Sequence, residues 1–147
     1  MTGAADEILN LLYELDEHID LGRFEGAGAL FADATLSVEG ADVVLHGTDE
    51  VTAHLRGTLR VYDDGTCRTV RSTTNAIVQI EEDTGEAAAQ AYFMVFQATP
   101  ELTLQPVLGG VYLDAFRRRD QRWAFASRVV RVRLTGDLSQ HVVRKAP

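Results

Sequence analysis

The segment Arg68–Ala98, RTVRSTTNAIVQIEEDTGEAAAQAYFMVFQA, predicts a long β-hairpin. Its first arm, about residues 68–81, is rich in Thr, Val and Ile, which favour strands. Thr84 and Gly85 follow three acidic residues and supply the turn. The second arm covers about residues 86–98. We expect the rest of the chain to be organised around this hairpin.

The two arms of the hairpin differ in the faces that they present. The centre of the second arm, Ala91-Tyr-Phe-Met-Val-Phe96, is apolar at every position, so both of its faces are expected to be covered. The first arm places a polar row on one face, and Ile77 lies within it. The row is Arg71, Thr73, Asn75 and Gln79. Polar side chains on a covered sheet predict a lined cavity, so the sequence indicates a pocket protein.

The composition is that of one soluble domain. A length of 147 residues with 46% hydrophobic and 24% charged residues predicts a single domain over residues 1–147. The net charge of −8 argues against nucleic acid or an anionic membrane as a partner, because both require a basic surface. Cys67 is the single cysteine, so no intrachain disulfide is expected.

The sequence predicts neither a membrane-spanning segment nor a signal peptide. No apolar run reaches 18 residues, so no transmembrane helix is expected. The first ten residues, MTGAADEILN, lack the basic and apolar regions of a signal peptide, and we therefore expect a cytoplasmic protein.

Helical periodicity precedes the hairpin, and further strand patterns flank it. We expect helices at about residues 4–21 and 23–31, and a third that Thr48 caps. Short strands are predicted at 35–38 and 43–46, and longer ones at 107–117 and 122–134 after a loop over Thr99–Pro106. Helices that come first and an antiparallel meander that comes last predict an α+β fold. Three N-terminal helices would pack on a curved, cone-shaped, mainly antiparallel sheet of four to six strands.

This order of elements, with several short motifs, resembles the nuclear transport factor 2-like superfamily and within it the SnoaL-like branch. That branch includes polyketide cyclases and relatives of scytalone dehydratase. The residues that carry the resemblance span nearly the whole chain. They are Ile19-Asp20-Leu-Gly-Arg-Phe24, Leu30-Phe31-Ala-Asp33, Gly47, Ser72-Thr-Thr-Asn75, Ala91-Tyr-Phe93, Gly110-Val-Tyr-Leu-Asp114, Arg122-Trp123, Arg128 and Gly136-Asp-Leu-Ser139.

The resemblance implies a cone-shaped pocket between the sheet and the helices. It also implies a site at Asp20, which in related proteins pairs with a histidine on the long strand and has a tyrosine beside it. This chain has Arg71 at the position of that histidine and Ile19 at the position of that tyrosine. The acid and base chemistry of the dehydratases therefore cannot be carried over residue by residue.

Asp20 and Arg71 are the candidate catalytic residues. Arg71 stays protonated near neutral pH and cannot be a general base. One interpretation is a structural ion pair in a polar cavity. The other is that Arg71 binds a carboxylate, phenolate or enolate of a ligand while Asp20 shuttles a proton.

Five further residues are candidate ligand-binding groups, and each also has a structural interpretation. They are Tyr13, His54, Asn75, Tyr112 and Asp114. Either tyrosine would otherwise pack with its hydroxyl at a rim, and His54 would be a satisfied core or rim histidine rather than a general base. Asn75 would satisfy backbone groups, and Asp114 would pair with Arg128 across strands. No metal-ligand spacing and no nucleotide-binding motif is present, so neither a metal nor a cofactor is implied.

Three classes of function remain open from the sequence. The first is a cofactor-independent cyclase, isomerase or dehydratase acting on a small hydrophobic ring compound. The second is a non-catalytic module that binds a small hydrophobic molecule, and the third is a structural protein that uses the fold for oligomerisation. Because successive strand residues alternate in direction, half of Tyr92–Phe96 must face away from the pocket, and we expect a homodimer formed sheet to sheet.

Overall fold

A computed structural model of the chain describes residues 3–143. Within these residues three helices come first, and their bounds are α1 (Ala4–Asp20), α2 (Phe24–Ala29) and α3 (Gly47–Thr58). Six strands complete the fold: β1 (Thr35–Val38), β2 (Val44–His46), β3 (Thr69–Glu81), β4 (Glu86–Thr99), β5 (Leu102–Arg119) and β6 (Arg122–Thr135). The predicted hairpin is confirmed as β3 and β4, to within one residue at each end.

The six strands form one curved, unclosed sheet in the order β2-β1-β6-β5-β4-β3. All neighbours are antiparallel except β1 and β6, which run parallel with Leu36 opposite Arg128. The predicted α+β fold with three N-terminal helices on a mainly antiparallel sheet is confirmed. Strand β3, which carries Arg71, lies at one edge of the sheet, where α1 packs against it.

The helices bury an apolar stripe against the concave face of the sheet. In α1 the side chains of Ile8, Leu12 and Leu15 are at most 2% exposed, which is the result of their i, i+4 and i+7 spacing. They join a core with aromatic residues of α2, of the turn that follows it and of β5 and β6, in which Phe31 from that turn and Phe116 both pack against Phe125. Among residues 3–143, none of the helices is long and apolar enough to cross a membrane.

A β-bulge divides strand β3 into two halves with opposite side-chain directions. Before the bulge, Arg71 and Thr73 lie opposite the buried Val95 and Phe93 of β4 and face inwards. The register shifts between Thr74 and Ile77, where Asn75 adopts a positive φ of 55°.

The residues beyond this bulge face the other way. Val78 packs on the core, whereas Ile77 is 61% exposed on the outer face of the sheet, together with Gln79. The prediction of one polar row from Arg71 to Gln79 is therefore wrong beyond Thr73, because the extra residue of the bulge reverses the alternation.

Two predicted boundaries are also wrong. Strand β5 begins at Leu102 and includes Pro106, so the predicted loop over Thr99–Pro106 is wrong from Leu102 onwards. Pro106 is tolerated there because it lies opposite Phe96 at a register shift, where the missing N–H is not required. Helix α3 has His46 rather than Thr48 as its N-cap, and the Glu50 carboxylate accepts a hydrogen bond from the His46 N–H at 3.0 Å.

The left-handed conformation of Asn75 predicts which residues this position accepts. We expect Asn75→Val to destabilise the protein by about 1–3 kcal/mol, because a β-branched side chain is strained at positive φ. Asn75→Gly is expected to be neutral or slightly stabilising. Urea denaturation measures both changes, and Thr74→Val on the same exposed strand is the control. An equally tolerated valine at both positions would contradict the bulge.

The homodimer formed sheet to sheet remains a prediction, and the outer face of the sheet is the surface that it would use. Tyr92 is 48% exposed there, and Val70 and Ile77 are exposed on the same face of β3, whereas Phe93 and Val95 on the inner face are buried. We expect static light scattering at micromolar concentration to give about twice the chain mass of 16.1 kDa. Tyr92→Arg should shift the mass towards the monomer, and a monomeric wild-type protein would contradict the prediction.

Candidate functional site

A cavity of about 210 Å³ lies between the helices and the concave face of the sheet. Cavities of about 150 Å³ hold benzene, so this central cavity is large enough for a small ring compound. Its walls are mostly aliphatic and aromatic side chains, such as Leu15, Phe31, Val51 and Phe93. The polar groups that line it are His54, Thr58, Arg71, Arg128 and His141, with the phenol of Tyr112.

Arg71 is held from both sides at the wall of this cavity. Its side chain is only 8% exposed, and Nη1 donates a hydrogen bond to Oδ1 of Asp20 at 3.0 Å. On the other side, Nη2 lies 3.5 Å from Nε2 of His141. The guanidinium is therefore anchored by a carboxylate at one end and meets a neutral acceptor at the other.

Both carboxylate oxygens of Asp20 are engaged in hydrogen bonds. The Thr69 hydroxyl donates to Oδ1 at 2.7 Å, and the backbone N–H of Arg71 donates to Oδ2 at 2.8 Å. Asp20 does not line the central cavity; it lies in a side groove between α1 and β3. These contacts make Asp20 the residue that orients Arg71.

His141 enters the site from the segment that follows β6. The backbone carbonyl of His141 accepts a hydrogen bond from the Arg60 N–H at 2.9 Å, and Gln97 donates to the Gln140 carbonyl at 3.0 Å. Burial, together with the charge of Arg71, lowers the pKa of His141 to about 4, so the imidazole is neutral near pH 7. Because an arginine only donates hydrogen bonds, Nε2 is the acceptor and Nδ1 carries the proton. No hydrogen-bond partner of this buried Nδ1 is found among residues 3–143.

Asp114 and Arg128 form a second ion pair deeper in the site. They lie opposite each other on β5 and β6, and two parallel hydrogen bonds of 2.8 and 2.9 Å join them. Both side chains are at most 3% exposed. The guanidinium also lies 3.6 Å from the ring centroid of Tyr112, which stacks on Phe93. Burial raises the pKa of Tyr112, so it remains a neutral phenol at the cavity wall.

The side groove between α1 and β3 has a volume of about 450 Å³ and shares Arg71 with the central cavity. Asp16 lies in this groove, one helical turn before Asp20, and is only 6% exposed. Its Oδ2 accepts a hydrogen bond from the Thr73 hydroxyl. Burial raises the pKa of the Asp16 carboxyl, against the effect of that hydrogen bond and of the charges of Arg128 and Arg71.

The structure brings only some of the predicted site residues together. Arg71, His54 and Tyr112 line the central cavity, and Asp114 reaches it through Arg128. Tyr13 is 47% exposed and lines the side groove with Asp20. Asn75 lies in a separate groove with Tyr92, away from the cavity, because the bulge turns the strand.

Three residues of the site were not predicted from the sequence. Asp16 could have been found, because its i, i+4 spacing from Asp20 places both carboxyl groups on one face of α1. Arg128 was recognised only as the partner of Asp114. His141 had no local signal, because its position depends on how the segment after β6 folds back over the cavity.

A family model described as a SnoaL-like domain matches residues 3–129. The chain belongs to the SnoaL-like family. A search of the curated proteins gave no match.

Solved structures share the fold of this SnoaL-like protein at low sequence identity. A Nostoc punctiforme protein of unknown function with a cystatin-like fold is 21% identical, with a TM-score of 0.74 over 92% of this chain and 97% of its own. A candidate scytalone dehydratase of Novosphingobium aromaticivorans is 24% identical, with a TM-score of 0.70 over 89% of this chain and 85% of its own. ActVI-ORFA of Streptomyces coelicolor is 18% identical, with a TM-score of 0.72 over 89% of this chain and 98% of its own.

The hydrogen bonds of Asp20 predict an asymmetry between the two halves of its ion pair. Asp20→Ala leaves the Arg71 cation buried without a carboxylate, and we expect a loss of about 3–5 kcal/mol in the free energy of unfolding. Arg71→Met leaves Asp20 with its Thr69 and backbone donors, so the loss should be smaller, about 1–3 kcal/mol. Thermal and urea unfolding measure both.

The control for this pair is an exposed one. Glu82 pairs with Arg118 at 2.9 Å and is 67% exposed, so Glu82→Ala should change stability by less than about 1 kcal/mol. Equal losses in Asp20→Ala and Arg71→Met would mean that the other donors to Asp20 contribute nothing.

Proposed function

We propose that this SnoaL-like protein binds a small, hydrophobic ring compound in the central cavity and acts on it as a cofactor-independent lyase or isomerase. The observation that carries the proposal is the position of Arg71. Its nearly buried guanidinium is anchored by Asp20 at the wall of an apolar cavity, with one end directed towards the neutral His141. A fixed cation in an apolar site stabilises negative charge that develops on a ligand oxygen.

The walls of the cavity support a ring compound with one or two oxygen atoms. Aliphatic and aromatic side chains bury the ring, and the polar groups at Arg71, Tyr112 and the His54–Thr58 pair fix its orientation. Since the arginines and Tyr112 offer hydrogen-bond donors, the complementary ligand carries acceptors, such as a ketone, a phenolate or an enolate.

In the proposed chemistry, Arg71 exchanges its contact with His141 for a hydrogen bond to the ligand. The ligand oxygen takes the Nη2 hydrogen bond that is directed at His141, which frees Nε2 of His141 as a proton acceptor. A C–H bond next to the ligand carbonyl then breaks, its proton goes to Nε2, and its electron pair forms an enolate beside Arg71. Return of the proton from Nε2 to another carbon completes an isomerisation. In a dehydration, the electron pair of the enolate forms a C=C bond as the neighbouring C–O bond breaks, and the proton on Nε2 goes to the departing hydroxide, which leaves as water. Asp20 holds Arg71 in place throughout.

A second candidate function, a non-catalytic binding module with the same pocket, is favoured by a specific observation. Of the described residues that line the central cavity, none is a carboxylate, and burial makes His141 a weak base. The candidate scytalone dehydratase among the structural neighbours favours the enzyme, since dehydration is a lyase reaction. The open cavity argues against a purely structural protein.

Exchange of α-protons on an enolisable ring ketone tests the proposal. Wild-type protein is incubated with 2-tetralone in D₂O, and loss of the α-proton signals is followed by ¹H NMR. We expect catalysed exchange that falls about 100-fold in Arg71→Met, the effect of removing one donor to an enolate. Arg131→Met, which removes a half-exposed partner of Glu39, is the control and should exchange at the wild-type rate.

The outcomes of this experiment separate the two candidates. Binding of 2-tetralone, seen as shifts of cavity resonances, without catalysed exchange would favour the binding module. Exchange that persists in Arg71→Met would overturn the role of Arg71. Neither binding nor exchange by folded wild-type protein would overturn the proposed ligand class.

A further inference from the structure

The site contains one more buried carboxylate than it has cations to pair. Arg71 is paired with Asp20, and Arg128 is paired with Asp114. Asp16 is only 6% exposed, yet within residues 3–143 no ion pair includes it. A buried carboxylate without its own cation requires a second stabilising arrangement.

The surroundings of Asp16 provide only part of that stabilisation. Its Oδ2 accepts a hydrogen bond from Thr73, whereas its Oδ1 has no partner among the described residues. Burial raises the pKa of this carboxyl, and the charges of Arg128 and Arg71 act against that increase. The ionised form of Asp16 therefore depends on two arginines that it does not contact as a salt bridge.

We propose that binding of an anionic ligand is linked to protonation of Asp16. When the anion enters the central cavity beside Arg71, Asp16 takes up one proton from the solvent. The inference rests on the ligand site proposed above and adds that the site selects a ring compound with a carboxylate, phenolate or enolate group. The only bond formed is an O–H bond on Asp16, and no bond of the ligand breaks. The side groove, which Asp16 lines, is the path from solvent.

The direction of the effect follows from the charged and polar groups that face Asp16. Asp20 lies on its own helix, Arg71 and Thr73 lie on β3, Tyr112 on β5 and Arg128 on β6. A ligand anion repels the Asp16 carboxylate and offsets the field of the two arginines, so burial then favours the neutral acid. By reciprocity, protonation of Asp16 strengthens binding of the anion, and affinity rises as the pH falls.

The experiment compares two probes of nearly the same shape, 2-naphthoate and 2-naphthamide. The first stays ionised between about pH 5.5 and 8, whereas the second is neutral throughout. Calorimetric titration in buffers of different ionisation enthalpy counts the protons that the complex takes up. We expect uptake approaching one proton for naphthoate at some pH in this range and none for the amide. Over the same interval, the Kd for naphthoate should fall by up to about tenfold for each unit by which the pH is lowered.

Two variants assign the proton to its carrier. Asp16→Asn should bind naphthoate without proton uptake and with an affinity that no longer depends on pH. His141→Gln tests the other group that a nearby anion could protonate, and it should retain the uptake. Loss of uptake in His141→Gln with retention in Asp16→Asn would overturn the proposal.

Measurements on the wild-type protein keep the inference falsifiable even where a variant does not fold. ¹³C NMR of the aspartate carboxyl groups should show Asp16 shifting towards the protonated form when naphthoate is added at constant pH. Binding of naphthoate with no uptake over the whole pH range would overturn the role of Asp16 and leave the ligand site intact. No binding of naphthoate, with 2-tetralone exchange still present, would overturn the anion preference but not the proposed function.

Discussion

The contact between the end of α1 and the edge of the sheet is the constraint on which the site depends. Strand β3 has an open edge, and the backbone N–H of Arg71 on that edge is satisfied by Asp20. The i, i+4 spacing of Asp16 and Asp20 corresponds to about 6 Å along a helix, close to the rise of two strand residues. One face of the helix can therefore meet Thr73 and Arg71 together, which fixes the helix on the strand and blocks further strand pairing there.

The same contact places the charged side chain of Arg71 beside an apolar core together with a carboxylate that compensates for its charge. A carboxylate at the C-terminal end of a helix is locally unfavourable, and the guanidinium of Arg71 compensates for it. Because Asp20 holds Arg71 in this position, the guanidinium stays at the wall of the central cavity beside His141. Arg128 is fixed in the same way by Asp114 and by the ring of Tyr112. Both cations are thus held in place by the fold itself, which is the preorganisation that the proposed electrostatic stabilisation requires.

The fold was more predictable than the site because it depends on signals that are local in the sequence. The period of α1, the turn at Thr84–Gly85 and the long apolar strands each indicated their own structure. The bulge at Asn75 was not predicted, since the conformation of one residue reverses every side chain that follows it. The pairing of Asp20 with Arg71 came from the family resemblance, whereas the approach of His141 joins residues 70 positions apart through the tertiary fold alone.

The bulge in β3 also affects how sequences of this family are compared. Two proteins that share the fold, one with the extra residue and one without it, would align without a visible gap over most of the strand. After position 75, however, the aligned residues would point to opposite sides of the sheet. An identical residue at the position of Gln79 would then lie on the outer surface in one protein and against the core in the other. Position-by-position similarity along this strand is therefore a measure of shared ancestry, but not of shared chemical environment.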